Sequence, residues 1–337
     1  MSASDPAAAQ PGATLAISNH GLRNSGGIER YAMTIVRGLH ARGIKPTVIA
    51  KAFDTTLPEY AWVTPVHTPV RAAPGKLRDL LFDWRIGRAK RRLGLYPLIG
   101  CNQTRWSDIG ICGGTHPGFL EAMGQRAGVS DRWKIALLYP PIDRGKFCVI
   151  GAEPRAQLRA GFDFAPDRAV FLLASTGHSR KGLDLLAPFF AQTRLPVTLV
   201  IAGRKPDRPL PNVRYLGYRS DIENVYRAVD YTIVASHYEP FGLVGVESVL
   251  CGTPVLLAGN VGCGEVIREP GKIVFDRLVS ASLEAAVAHA VARWQAATHR
   301  LERPDAQLAY DPSVEVHVAA LLALVDAAIA ARRAGAR

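Results

Sequence analysis

Cysteine is scarce in this chain. Five occur among 337 residues, and Cys101, Cys112, Cys148, Cys251 and Cys263 form no Cys-x-x-Cys pair. That scatter argues against a disulfide framework or a structural zinc site and for reduced thiols. Long apolar runs are also missing. No segment reaches the roughly 18 to 20 uninterrupted apolar residues that span a bilayer. The best candidate, Val314 to Ala331, is broken by Glu315, His317 and Asp326 and predicts an amphipathic helix. Residues 1–12 are rich in Ala and Pro and lack the basic start and apolar middle of a signal peptide. A short disordered leader on a cytoplasmic chain is therefore expected. No acid cluster such as an Asp-x-Asp at a strand end offers a Mg²⁺ or Mn²⁺ site. Nor does zinc-finger spacing, an RNP-type aromatic pair or a helix-turn-helix signature support a nucleic-acid partner. The expectation is no metal, no cofactor and no nucleic acid.

What the chain does have is alternation. Strand-like runs such as Thr14–Ser18, Lys45–Ala50, Ala169–Ala174, Val197–Ala202, Asn212–Leu216, Asp230–Ala235 and Pro254–Leu257 are separated by helical or turn signals. This is the pattern of parallel α/β architecture. Residues 52–75 read as Pro-rich and irregular, and Pro140-Pro141 marks a hinge, because consecutive prolines continue neither element. The length suits two doubly wound, Rossmann-like domains facing a cleft. The expected domains are 13–145 and 146–311, with the helix of 312–337 able to fold back on the first.

Chemistry concentrates in Ser236-His-Tyr-Glu-Pro-Phe-Gly-Leu-Val-Gly-Val-Glu247. A buried-strand pattern precedes it and helical apolar spacing follows it. Glu239 is thereby expected at a strand end and Glu247 more than a turn into a helix, at the edge where open α/β sheets bind ligands. The backbone N–H groups of Phe241, Gly242 and Leu243 would lie at the helix start, suited to hydroxyl or phosphate oxygens. Two acids at this spacing alone are a weak signal, and Glu239 as a dipole cap with Glu247 as a solvated helix residue is the plain alternative. The Pro-Phe-Gly insertion and the strand context strengthen the functional reading.

A second constellation, Ser175-Thr-Gly-His-Ser-Arg-Lys-Gly182, follows another strand and precedes another helix. Arg180 and Lys181, beside Gly177, are suited to a diphosphate, because charge and N–H dipoles both favour an anion there. It lacks the Gly-x4-Gly-Lys-Ser/Thr spacing of a Walker A loop. Taken alone it reads as an exposed cation pair. Taken with the two glutamates it describes a nucleotide-sugar: carboxylates for hydroxyls, cations for the phosphates between them.

Charge is uneven, for the net +12 is carried almost wholly by residues 1–150. Between Arg71 and Arg92, eight basic residues face Asp79 and Asp83 and are interleaved with Leu77, Leu80, Leu81, Phe82 and Trp84. The basic helix predicted over 76–92 suits an anionic membrane surface. A solvated helix whose stripe packs on its own domain explains the pattern equally well.

With these residues in view, the chain resembles retaining glycosyltransferases of the GT-B fold, family 4, and is similar to the lipopolysaccharide-core glucosyltransferases. The resemblance rests on Gly26-Gly-Ile-Glu-Arg-Tyr31, Gly113-Gly-Thr-His116, Tyr139-Pro-Pro-Ile-Asp143, Gly177-His-Ser-Arg-Lys-Gly-Leu183, Leu216-Gly-Tyr218 with Asp221, Glu239-Pro-Phe-Gly242 with Glu247, and Gly252-Thr-Pro254. It runs from about residue 14 to 275 and is stronger in the second domain. The resemblance implies that Glu247 holds ribose hydroxyls, while Glu239 and the Phe241–Leu243 amides hold the donor sugar. It assigns the diphosphate to Arg180 and Lys181, with Gly26 and Gly27 as its approach. Tyr218 and Arg219 would border the base, and His116 would sit near the reacting centre, unless it is an ordinary loop histidine. Two departures stand out: Ser175-Thr176 replaces a common Gly-Arg, and the stretch between Gly114 and Tyr139 looks abbreviated. The implied activity is sugar transfer to a saccharide or lipid-linked acceptor for envelope polysaccharide, peripheral to the membrane. A sugar-nucleotide epimerase on the same scaffold and an inactive donor-binding subunit are the alternatives.

Overall fold

The structure, a computed structural model, describes residues 14–23, 27–70, 75–102, 104–111, 136–206 and 210–335. The chain divides into two compact units. One gathers the described residues up to 111 with 137–141 and 313–335, and the other gathers 136 and the described residues of 142–312.

The first unit runs β1 (Ala16–Leu22), α1 (Gly27–His40), β2 (Thr47–Phe53), β3 (Thr64–His67), α2 (Gly75–Arg92), β4 (Leu98–Gly100) and β5 (Ile109–Gly110). These strands form one parallel sheet in the order β3-β2-β1-β4-β5. The stretch expected to be irregular thus contributes an edge strand, β3, and a 3₁₀ turn at Pro58–Tyr60. Pro65 is tolerated there because an edge leaves one row of backbone donors unpaired.

The second unit continues with α3 (Ala152–Gly161), β6 (Ala169–Ser175), α4 (Leu183–Gln192), β7 (Val197–Gly203), β8 (Val213–Gly217), α5 (Ile222–Ala228), β9 (Tyr231–Val234), α6 (Leu243–Leu250), β10 (Val255–Ala258), β11 (Lys272–Phe275) and α7 (Ser280–Gln295). Its parallel sheet has the order β11-β10-β9-β6-β7-β8. Central strands β9 and β10 are buried at every residue, which is why they read as unbroken apolar runs. Phe171 of β6 stacks on Tyr231 of β9 at 5.2 Å between ring centroids and meets Phe190 of α4 edge-on.

The last helix, α8 (Val314–Gly335), belongs to the first unit. By length and composition it could cross a membrane, a test that core helices of globular domains also pass. Here Val318, Leu321 and Val325 join Ile35, Val36 and Leu39 of α1 in one core. Gly38 permits this approach, since a Cβ there would lie 2.6 Å from a Val318 methyl.

Each sheet has one place where successive connections leave in opposite directions. In the first unit it lies between β1 and β4, and in the second between β6 and β9. Open α/β sheets bind ligands at the carboxyl ends of such strand pairs.

Candidate functional site

In the second unit, the loops after β6 and β9 meet at that switch point. Lys181 Nζ donates to Glu239 Oε2, Arg180 Nη1 approaches the same oxygen at 3.3 Å, and Ser236 Oγ donates to it at 3.2 Å. His237 N–H donates to Arg180 O at 2.9 Å and ties the two loops together. Lys181 and Glu239 are each 12% exposed, whereas Arg180 is 53% exposed. Among the described residues Glu239 Oε1 accepts no hydrogen bond, so the carboxylate keeps one oxygen for a ligand hydroxyl.

Local sequence explains the geometry. Gly182 has φ +77°, and a Cβ there would overlap the Ala235 carbonyl at the end of β9. Only glycine combines that torsion with that approach. Glu239 lies beyond the strand, which ends at Val234, and is held by an isolated bridge to Val261. Gly242, with φ +90°, caps α6; Gly245 N–H donates to its carbonyl at 2.9 Å, and the amides before Gly245 precede the first intrahelical bond.

Glu247, on α6, is buried, and Tyr226 Oη of α5 donates to its Oε2 at 3.0 Å. It is therefore not the solvated helix residue of the plain alternative. Tyr218 stands 78% exposed after β8, and Arg219 makes a bidentate pair with Asp221 at 2.9 and 2.7 Å. Both lie beyond the edge strand β8, in no hydrogen bond with the Glu239 cluster. Gly177 shapes the loop through Lys181 N–H, which donates to its carbonyl at 3.1 Å. Gly27 opens α1 in the first unit. Gly26 and His116 lie outside the described residues. Burial pushes the Cys101, Cys251 and Cys263 thiols up to about 12, so these stay protonated at neutral pH.

Sequence reasoning missed several polar groups. His178 Nδ1 lies 3.0 Å from Ser175 Oγ, while its Nε2 is buried without a partner beside Arg180 in sequence. At the switch point of the first unit, Ser18 Oγ, His20 Nδ1 and Asn102 Oδ1 are likewise buried and without a partner among the described residues. Strand pairing brings them together: Cys101 N–H donates to Ser18 O at 2.9 Å, which puts the end of β4 beside β1. Buried polar atoms without partners are rare enough to point toward ligand positions.

Two parallel α/β units, each with polar side chains gathered at the carboxyl ends of its central strands, have the architecture of the GT-B fold. Residues 167–296 match the model of glycosyl transferases group 1, and residues 25–105 match that of glycosyltransferase family 4. A probable transglycosylase of Burkholderia thailandensis is 42% identical, covering 96% of this chain and 100% of that protein. The chain belongs to glycosyltransferase family 4. Among solved structures, HepE from Anabaena in complex with UDP and glucose aligns with a TM-score of 0.69 and 18% identity, covering 93% of this chain and 100% of that one. WaaG, a glycosyltransferase involved in lipopolysaccharide biosynthesis, aligns with a TM-score of 0.67 and 16% identity, covering 84% of this chain and 92% of that one. At these identities the likeness is one of fold.

Proposed function

We propose that this glycosyltransferase moves a sugar, with retention of anomeric configuration, from a nucleotide-diphosphate sugar to a saccharide or lipid-linked saccharide acceptor in envelope polysaccharide synthesis. The observation that carries the reading is the convergence of Lys181, Arg180 and Ser236 on Glu239 at the β6/β9 switch point. In the proposed complex Lys181 and Arg180 exchange part of their bonding to Glu239 for the diphosphate. Glu239 Oε1 and the α6 amides take donor-sugar hydroxyls, and Glu247 takes the ribose. Tyr218 and Arg219 border the base, and Gly26, Gly27 and His116 keep the donor roles that the family resemblance implies. The UDP and glucose held by the Anabaena relative support a donor of this type.

In the transfer step the bond from the sugar's anomeric carbon to the diphosphate breaks, and its electron pair leaves on the phosphate oxygen. The acceptor hydroxyl bonds to the same face of that carbon and gives its proton to the departing phosphate. Interactions that strengthen as negative charge builds on the leaving group accelerate this step, which is the role assigned to Lys181 and Arg180. Turnover is proposed to need no metal: among the described residues no three ligand-type side chains converge, and the cations supply the neutralisation. The unpartnered Ser18, His20 and Asn102 atoms are proposed to meet acceptor hydroxyls in the first unit. The basic, partly exposed α2 would hold the enzyme at an anionic leaflet.

Incubation with nucleotide sugars and candidate acceptors in EDTA, followed by NMR of the product's anomeric proton, tests this. A transferred sugar with the donor's configuration is expected. An inverted product, or activity that only Mn²⁺ restores, contradicts the reading. A new nucleotide sugar formed without acceptor would mark an epimerase instead.

A further inference from the structure

At the opposite end of β9 from the Glu239 cluster lies a second group of charges. Asp230, which precedes the strand, accepts hydrogen bonds from Arg155 Nη2 at 2.7 Å, Arg159 Nη1 at 3.1 Å and the Val170 N–H at 2.9 Å, and His299 Nε2 lies 3.3 Å away. A third guanidinium, Arg300, is half-buried nearby and donates to Val229 O at 3.3 Å and Cys251 O at 3.0 Å. Burial and then the neighbouring Arg155 hold its pKa down to about 10. Two guanidiniums thus pair with one carboxylate, and a third lies close by without a bond to it. The carbonyls at the end of α5 take up part of the excess, since Arg155 Nε donates to Arg227 O at 3.1 Å and Arg159 Nη1 to Ala228 O at 2.9 Å. The partial charge of a helix end is about half a unit, too little to balance two cations.

Beside this cluster is a cavity of about 530 Å³, lined by Arg155, Arg159, Asp230, Trp294 and His299 among others. Two features suit it to a polar guest. Among the described residues Arg155 Nη1 and Arg159 Nε make no hydrogen bond, so donors remain after the structural bonds are counted. His299 is 6% exposed and its buried Nδ1 has no partner among the described residues. With Nε2–H directed at Asp230, that nitrogen accepts a hydrogen bond. A partly protonated oxyanion satisfies both the unused guanidinium donors and this nitrogen.

We propose that this cavity is a second anion site, taking inorganic phosphate or a small phosphomonoester. It is separate from the donor site, because β9 spans roughly 3.3 Å per residue and Asp230 and Ser236 flank its two ends. The proposal does not depend on which sugar the enzyme transfers.

Calorimetric titration of the full chain with inorganic phosphate tests it. Saturable binding that survives Lys181→Ala is expected, since Lys181 belongs to the other end of the strand. Gln295→Glu and Trp294→Glu, each placing a negative charge at the cavity rim, should weaken that binding about tenfold. Gln295 is exposed and near-isosteric with glutamate, so its variant tests binding without disturbing the fold. Phosphate should also raise the Tm of Lys181→Ala, and by less once Gln295→Glu is added to it. Absence of saturable binding, or binding removed by Lys181→Ala and untouched by Gln295→Glu, would overturn the proposal.

Discussion

Tyr31 Oη donates to His317 Nε2 across 2.8 Å, while His317 Nδ1 donates to Tyr139 O across 2.9 Å. The second bond requires the proton on Nδ1, which leaves Nε2 as the acceptor and fixes a neutral tautomer. Three distant segments are thereby joined inside one unit: the helix of the glycine motif, the residue before the Pro-Pro pair, and α8.

Burial holds the His317 pKa below its ordinary 6.5, and burial does the same to His20. The unfolded chain takes up protons near pH 6.5 that the folded chain refuses. This contribution to stability is therefore present above about 6.5 and is lost as pH falls through the folded values. Melting followed between pH 7.5 and 5.5 should show a falling Tm. His317→Gln should cost about 1–3 kcal/mol at neutral pH and flatten the slope. A Tm unchanged over that range would refute this account.

Gly182→Ala should damage the candidate site rather than the core. The left-handed torsion and the overlap with the Ala235 carbonyl force the loop apart, at a cost of roughly 1–3 kcal/mol. Urea unfolding should register that loss, and affinity for nucleotide diphosphate should fall with it. Gly177→Ala, where a Cβ meets nothing within 4 Å, serves as the benign comparison for stability.

Ser18→Ala should separate stability from activity. Removing a buried hydroxyl without a partner relieves a desolvation cost of about 1–3 kcal/mol, so the Tm should hold or rise. If that hydroxyl meets the acceptor, kcat/KM for the acceptor should drop about tenfold while donor affinity stays constant. Unaltered acceptor kinetics would remove Ser18 from the proposed acceptor site.

The stripe on α2 divides in two. Phe82 and Ile86 are buried in the core, whereas Leu80 and Trp84 are 60% and 48% exposed, and Arg88 lies over the Trp84 ring at 5.6 Å. Leu80→Glu combined with Trp84→Glu should therefore leave the fold intact and abolish sedimentation with vesicles of anionic lipid. Binding by the unsubstituted protein should weaken as salt rises. Undiminished binding by the double variant would place the membrane contact elsewhere.

The sequence made the central strands readable because a parallel sheet covered on both faces demands unbroken apolar runs, as in Tyr231–Val234 and Val255–Ala258. It hid β3, where Thr64-Pro-Val-His67 is half-exposed at an edge and carries a proline, and β5, which has two residues. Lys181 and Glu239 were legible as members of two local motifs, each a strand, a turn and a helix. Their ion pair was not, because it depends on β9 lying beside β6. The same reason hid Ser18 beside Asn102 and gathered Arg155, Asp230 and His299 from three separate segments. Strand order is a non-local property, and no spacing along the chain reports it.

The central claim is that the Glu239 cluster and Glu247 grip a nucleotide-diphosphate sugar. Calorimetry with the nucleotide diphosphate, on Lys181→Ala and Glu247→Ala separately, tests it most directly. Each variant should bind at least tenfold more weakly than the unsubstituted protein, consistent with the loss of a charge-assisted hydrogen bond worth about 1.5–3 kcal/mol. Unchanged affinity in both variants would contradict the account.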